Sequence, residues 1–272
     1  MIYILLRSRK DCAKWGANNK ESDEFISSPV FQLLRSRISY RLGFTYPIST
    51  ENVTALYESC VFWNNLPAIW KPQFCAAFTP DDLRIMEYYL DLKHFYEFGY
   101  GNPLSQKMGC PLVKDMMNKL SNAAKGTFGK KGTFYFADEE NFMGFITKMG
   151  LFRDEKPPKH DNYNLQKQNR KWRSSLLSPS IATTHVILFN CKNVETRVEF
   201  YINEKLIKLD ACKSTSGNKC PLNTFLKEVE NNFKGECEEG YCGSFPKSAS
   251  SMTSCSLAVV ISCYLFSKLR LV

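Results

Sequence analysis

The spacing of apolar residues changes character near residue 125. Before it, apolar positions recur at intervals of three and four, the signature of helices with one buried face. Ser28-Pro29, a cap residue followed by a first-turn proline, leads into Phe31, Leu34 and Ile38. Val53, Leu56, Tyr57 and Cys60 mark a second helix. The clearest start signal is Thr79-Pro80-Asp81-Asp82, where a cap, a proline and two carboxylates at the positive end of the helix dipole precede Leu83, Met86 and Leu90. That helix is expected to end near Gly99, and Leu112, Met116, Leu120 and Ala124 predict another. Residues 1–125 therefore read as a helical layer.

After the stretch from Lys125 to Gly132 the period shortens. Thr133 to Ala137 has strand composition, Asp138 to Asn141 forms an acidic corner, and Phe142, Phe145, Ile146 and Met149 return to helical spacing until Gly150. Residues 153–172 are polar and predict a loop. His185 to Phe189 reads as a buried strand, while Val198 to Ile202 and Lys205 to Leu209, separated by Asn203-Glu204, read as a hairpin. Leu222, Phe225, Leu226, Val229 and Phe233 predict a closing helix, and no internal repeat is visible.

The expected fold class is α/β, with a helical cap subdomain over 1–125 and a partial α/β sheet layer over 126–242. A polar spacer and apolar tail follow over 243–272. Such an arrangement places a cleft where strand ends meet the cap. The corner after Ala137 is the natural place for chemistry, because loops beyond the carboxyl ends of strands carry ligand contacts in open α/β sheets. Two readings of Asp138, Glu139 and Glu140 stand side by side: a helix cap with two first-turn carboxylates, or a functional cluster.

Composition narrows the class. A content of 44% hydrophobic and 14% aromatic residues excludes a disordered chain. The 36 basic residues against 27 acidic give +9, but the cations are scattered rather than gathered in an arm, so nucleic acid is not an expected partner. Eleven cysteines are too many for a typical cytosolic protein, and none form a CxxC pair, so export is expected, with no metal site and no cofactor. Cys212 with Cys220 and Cys237 with Cys242 are local disulfide candidates, and Asn52-Val53-Thr54 is a glycosylation sequon.

The two ends disagree. Ile2 to Leu6 is followed at once by Arg7, Arg9 and Lys10, so no signal peptide is visible. Cys255 to Ser267 is an apolar run shorter than the ~18 residues that span a bilayer. The small, polar stretch before it suits a GPI-attachment signal, with Ser248 or Ser250 as attachment residue, although Lys268 and Arg270 depart from the pattern. A short membrane anchor and a buried terminal element are the alternatives. An export-type tail without an export-type head leads us to expect a chain incomplete at its N-terminus.

Several stretches in order resemble the multiple inositol polyphosphate phosphatases, a branch of the histidine acid phosphatases that includes phytases. They are Asp11 to Trp15, Leu83 to Gly101, Met149 to Asp154, Arg170 to Ser174, His185 to Cys191, the hairpin and the cysteines near Cys237. The similarity runs from roughly 11 to 242. It implies a histidine-phosphatase-like fold, here with the N-terminal half of the fold missing. It also implies hydrolysis of inositol polyphosphates or phytate, with bisphosphoglycerate as a further candidate; family and tail together place the protein at the cell surface or in the secretory pathway, with the apolar tail in the membrane. In the family an Arg-His-Gly motif supplies the histidine nucleophile and phosphate-binding arginines. A His-Ala-Glu motif supplies a second phosphate-binding histidine and the acid that protonates the leaving alkoxide.

Neither motif is intact. No Arg-His-Gly occurs in the 272 residues. The second motif aligns with Asp138 in place of the histidine, Glu139 at the alanine and Glu140 at the proton donor. A carboxylate beside a phosphate is repulsive by about 1 kcal/mol at ~4 Å even when screened by water. His94, inside a helix, and His185, at the start of a strand, read as packing or surface residues. His160-Asp161 has the dipeptide of related acid phosphatases but follows Pro157-Pro158 in a polar loop, and is not expected to be catalytic. Two functions are left: a phosphomonoesterase whose catalytic half precedes residue 1, or a non-catalytic surface-anchored binding protein derived from that fold.

Overall fold

The computed structural model describes residues 12, 14–16, 18–64, 73–127, 129, 132–213 and 219–232. Cys237, Cys242, Ser248, Ser250 and the tail over 243–272 lie outside the described residues. No described helix is long and apolar enough to cross a membrane.

Helix α1 (Lys20–Ile26), which the apolar pattern did not signal and which has no side-chain cap, opens the layer. Helices α2 (Pro29–Arg41), α3 (Thr50–Asn64) and α4 (Pro80–Glu97) form where the sequence predicts them, with a 3-10 turn at Gln73–Ala77. The Ser28 side chain accepts the Phe31 amide ahead of α2. Thr79 and Asp82 form a reciprocal capping box ahead of α4, at 3.2 and 3.0 Å. The apolar faces of these helices meet in a core that includes Phe25, Phe31, Leu34, Ile38, Val53, Met86 and Leu92. A Cys60–Cys75 disulfide ties α3 to the 3-10 turn.

Helix α5 (Pro103–Ala124) starts nine residues before the apolar series from Leu112 implies. Asn102 caps it and Pro103 opens it, whereas Pro111 sits inside, where an interior proline ordinarily argues against a helix. Its partner is α6 (Glu139–Lys148). The two approach most closely at Gly109, where a Cβ would collide with the Gly144 backbone, and nearly as closely at Gly144. Two short helices follow, α7 (Tyr163–Gln166) and α8 (Ser174–Leu177).

The sheet is small and antiparallel. Strands β1 (Thr184–Phe189), β2 (Arg197–Ile202) and β3 (Lys205–Leu206) lie in sequence order, and β4 (Cys220–Pro221) pairs with β2. Asn203 and Glu204 turn the hairpin with φ of 47° and 63°, the left-handed pair that a two-residue hairpin loop requires. Val198, Phe200 and Ile202 are buried under Phe225 and Val229 of α9 (Leu222–Asn231) and under Phe145 and Ile146 of α6.

Three expectations need correction. β3 ends at Leu206, not Leu209. β1 is a sheet edge rather than a buried strand: Val186 and Leu188 pack on the core while His185 and Ile187 face outward. Thr133 to Ala137 is extended but pairs with no described strand, and Phe134 and Phe136 are 86% and 89% exposed. Strand composition supplies the side chains of a strand, not the neighbour whose backbone completes it.

The polar stretch 153–172 is mostly loop, yet it carries a buried anchor. Trp172 is fully buried against Phe95 and Tyr100. Arg170 reaches Asp91 at 2.6 Å and Glu87 at 2.8 Å, both on α4. Ser174 donates to Asp91 from its amide and its hydroxyl, each at 2.7 Å. Arg173 adds two further bonds to Glu87 at 2.9 Å. The loop is thereby clamped to the middle of α4.

His160 has a structural partner as well. Its Nδ1 lies 2.8 Å from both Glu21 and Glu24 of α1. The Glu21 hydrogen bond holds the imidazole above its usual value of 6.5. Burial would push Glu21 up, but the bonds from His160 hold it below its usual 4.5. A raised histidine stabilises below 6.5 and loses that contribution as pH rises through its folded value; a lowered carboxyl stabilises above 4.5. His160→Ala should therefore lower the melting temperature near about pH 5.5 and hardly at all near about pH 9. Equal losses at the two pH values, measured by calorimetry, would count against the ion pair.

Candidate functional site

The acidic corner is built on the first turn of α6. Asp138 is its N-cap: Oδ1 accepts the Asn141 amide at 3.0 Å and the Asn141 side-chain amide at 2.6 Å. Capping chemistry thus accounts for Asp138, as the blander of the two sequence readings holds. Glu139 and Glu140 occupy the first turn, where the helix dipole favours negative charge.

Glu139 differs from an ordinary surface carboxylate. Its Oε1 lies 3.7 Å from Nδ1 of His94, which comes from the last turns of α4. Burial pushes the Glu139 carboxyl up, and Glu140 and Asp138 push the same way against a hydrogen bond from Ser178. Burial also drives the His94 imidazole down to about 4, so at neutral pH it is uncharged; its Nδ1 makes no hydrogen bond and its ring packs on Phe98. The corner therefore joins a partly exposed carboxyl, pushed up by burial, to a neutral imidazole and the Ser178 hydroxyl. Glu140 is half-buried beside them.

The sequence reading placed His94 correctly inside a helix and missed its neighbours. No short-range pattern connects residue 94 with residues 139 and 178. His185 stands on the outward face of β1 and His160 is held by α1, so neither enters the corner. Glu21, Glu24 and His160 bring three ligand-type atoms within 4.8 Å of one another, which their mutual ion pairs explain. Cys212 and Cys220 form the expected disulfide, Cys12 and Cys110 are also disulfide-bonded, and Cys191 is free and exposed. Asn52 is exposed on the first turn of α3.

A helical layer, with the 153–172 loop clamped to α4, packs beside a small antiparallel sheet. The structure superposes on a phytase from D. castellii with a TM-score of 0.69 at 22% identity, covering 84% of this chain and 49% of that one. The family model of the histidine phosphatase superfamily (branch 2) matches residues 5–203, and the chain belongs to that superfamily. It is 28% identical over 250 residues to multiple inositol polyphosphate phosphatase 1 of Drosophila melanogaster, covering 88% of this chain and 51% of that protein. To the Homo sapiens protein of the same name it is 25% identical over 225 residues, covering 78% and 44%. The chain thus spans about half the length of the relatives it matches.

Proposed function

We propose that this protein serves phosphomonoester hydrolysis of inositol polyphosphates, with Glu140 as the acid that protonates the leaving alkoxide. The observation that carries this reading is the placing of Glu140 on the first turn of α6, one residue from Glu139 and its His94 and Ser178 neighbours. A carboxylic acid there spares the departing oxygen a full negative charge. Asp138 occupies the position where the family carries a phosphate-binding histidine, and its charge opposes the phosphoryl group. Hydrolysis further needs a nucleophile that these 272 residues do not carry as Arg-His-Gly. The Cys60–Cys75 and Cys212–Cys220 bridges support folding in an oxidising, secretory compartment, where exposed Asn52 is open to glycosylation.

Titration with inositol hexakisphosphate tests the reading. Asp138→His exchanges repulsion for attraction at ~4 Å, about 2 kcal/mol in screened surroundings, so affinity should rise roughly 30-fold. The same change removes a good cap and should cost about 1 kcal/mol of stability. Affinity and stability moving in opposite directions is the expected signature; an unchanged affinity would remove the substrate from this corner. Neither form should release phosphate. Release abolished by Glu140→Gln would instead locate a nucleophile within these residues.

A further inference from the structure

We propose a second anion site at the opposite end of α4, where a cavity of about 520 Å3 lies between α2, the first turns of α4 and the residues after α7. Its ligand class is a small molecule carrying more than one phosphoryl group. The inference does not depend on the hydrolytic reading.

Arg37 and Arg41 are four residues apart on α2 and so share one face. Both line the cavity, with Arg84 and the opposing carboxylate Asp81 of α4, Lys167 after α7, Thr79 and Tyr163. The two α2 arginines are held by one carboxylate beneath them, that of fully buried Asp82. Arg37 spends Nε and Nη2 on its Oδ1, at 3.1 and 2.6 Å. Arg41 spends Nη1 on its Oδ2 at 3.1 Å and on the Ala77 carbonyl. Two guanidinium groups sharing one carboxylate are oriented but only half neutralised, and each retains donors that make no hydrogen bond to described residues. The second pair is of another kind. Arg84 meets Asp81 at 2.6 Å with both side chains more than half exposed, a contact that water screens and an incoming anion can replace. Lys167 rests over the Tyr163 ring at 5.9 Å. The cavity opens beside the N-terminus of α4, whose dipole adds positive potential to that of the four cations.

Planar guanidinium groups recognise phosphoryl oxygens in pairs, and the lysine adds a point charge. A single phosphate would fill a small part of the volume, which is that of a small-molecule site. Arg84 and His94 are ten residues apart on α4, about 15 Å along its axis, so one small anion cannot occupy this cavity and the acidic corner together. The site is suited to holding a second molecule, a regulator or a reserve of polyphosphate, rather than the reacting group.

The probe is inorganic pyrophosphate, titrated into the full chain by calorimetry at low ionic strength. One molecule should bind per chain, and Arg84→Glu with Lys167→Glu should weaken binding by about tenfold or more. Asp138→His should leave the affinity of this site unchanged, any binding gained at the acidic corner appearing as a separate second event. The pair Lys192→Glu with Lys205→Glu, exposed and remote, makes the same change in net charge and should have little effect. Equal weakening by both double variants would mean only the general field of a basic protein and would overturn the site. Citrate binding as tightly as pyrophosphate would overturn the phosphoryl class. A second measurement works in dilute solution: pyrophosphate should slow phenylglyoxal modification of Arg84, read by peptide mass spectrometry, and spare none at Arg153, which stacks on Tyr100 far from the cavity. Equal modification with and without pyrophosphate would sink the proposal independently.

Discussion

Arg170→Met should lower the melting temperature by roughly 10 °C, corresponding to about 3–5 kcal/mol for breaking a buried ion pair from one side. The side chain is 1% exposed and lies between Asp91, which is fully buried, and Glu87. Methionine fills the space of the aliphatic stem but leaves Asp91 without a guanidinium and Glu87 with that of Arg173 alone. Burial already pushes the Asp91 carboxyl up to about 6, against the pull of Arg170 and the two Ser174 bonds. A carboxyl whose folded value lies above its unfolded one weakens the fold as pH rises through that interval. The variant should therefore be least impaired at about pH 4.5 and most impaired at about pH 8. Adding Asp91→Asn should restore part of the loss at the higher pH. Calorimetry showing a loss under about 1 kcal/mol at every pH would mean that the clamp is ornamental to stability.

Gly109→Ala is the second large effect, and it acts through backbone contact rather than charge. A Cβ at this position would stand 2.0 Å from the Gly144 carbonyl oxygen and 2.4 Å from its carbon. No rotamer removes a Cβ, so α5 and α6 must move apart, or one of them must bend. Overpacking of this kind costs about 1–3 kcal/mol and more where backbone is the obstacle. The better helix propensity of alanine offsets about 1 kcal/mol of it. Gly144→Ala should be milder, since its nearest obstacle, the Ser105 carbonyl, is 3.1 Å away. Because α6 carries the acidic corner, Gly109→Ala should also loosen the contact between Glu139 and His94. Urea unfolding checks the ranking, and a Gly109→Ala variant as stable as the parent would show that the helices are packed less closely there.

What could be read along the chain was what depends on neighbours within one turn or one hairpin. Ser28, Thr79 and Asp138 make their capping bonds to residues three positions on, and the Asn203-Glu204 turn joins adjacent strands, so local order was enough to find them. The resemblance, carried by ordered stretches, located Asp138 and Glu140 relative to one another. The extended segment Thr133 to Ala137 shows the limit: its composition is that of a strand, but a strand exists only through a partner's backbone. The rest is decided by tertiary contact. His94 meets Glu139, Arg170 meets Asp91 across 79 residues, and Arg37 meets Asp82 across 45. Within 153–172 a polar pattern hid Arg170 and Trp172 because a buried charge is tolerated only when its counter-charge arrives from elsewhere in the fold. By itself the sequence marked α2, α3, α4, α6 and α9, with the starts of α2, α4 and α6 fixed by their caps, but neither α1 nor the start of α5. Only packing decided which charges are paired and which carboxyl is pushed up, because burial and distance, not residue type, set those energies.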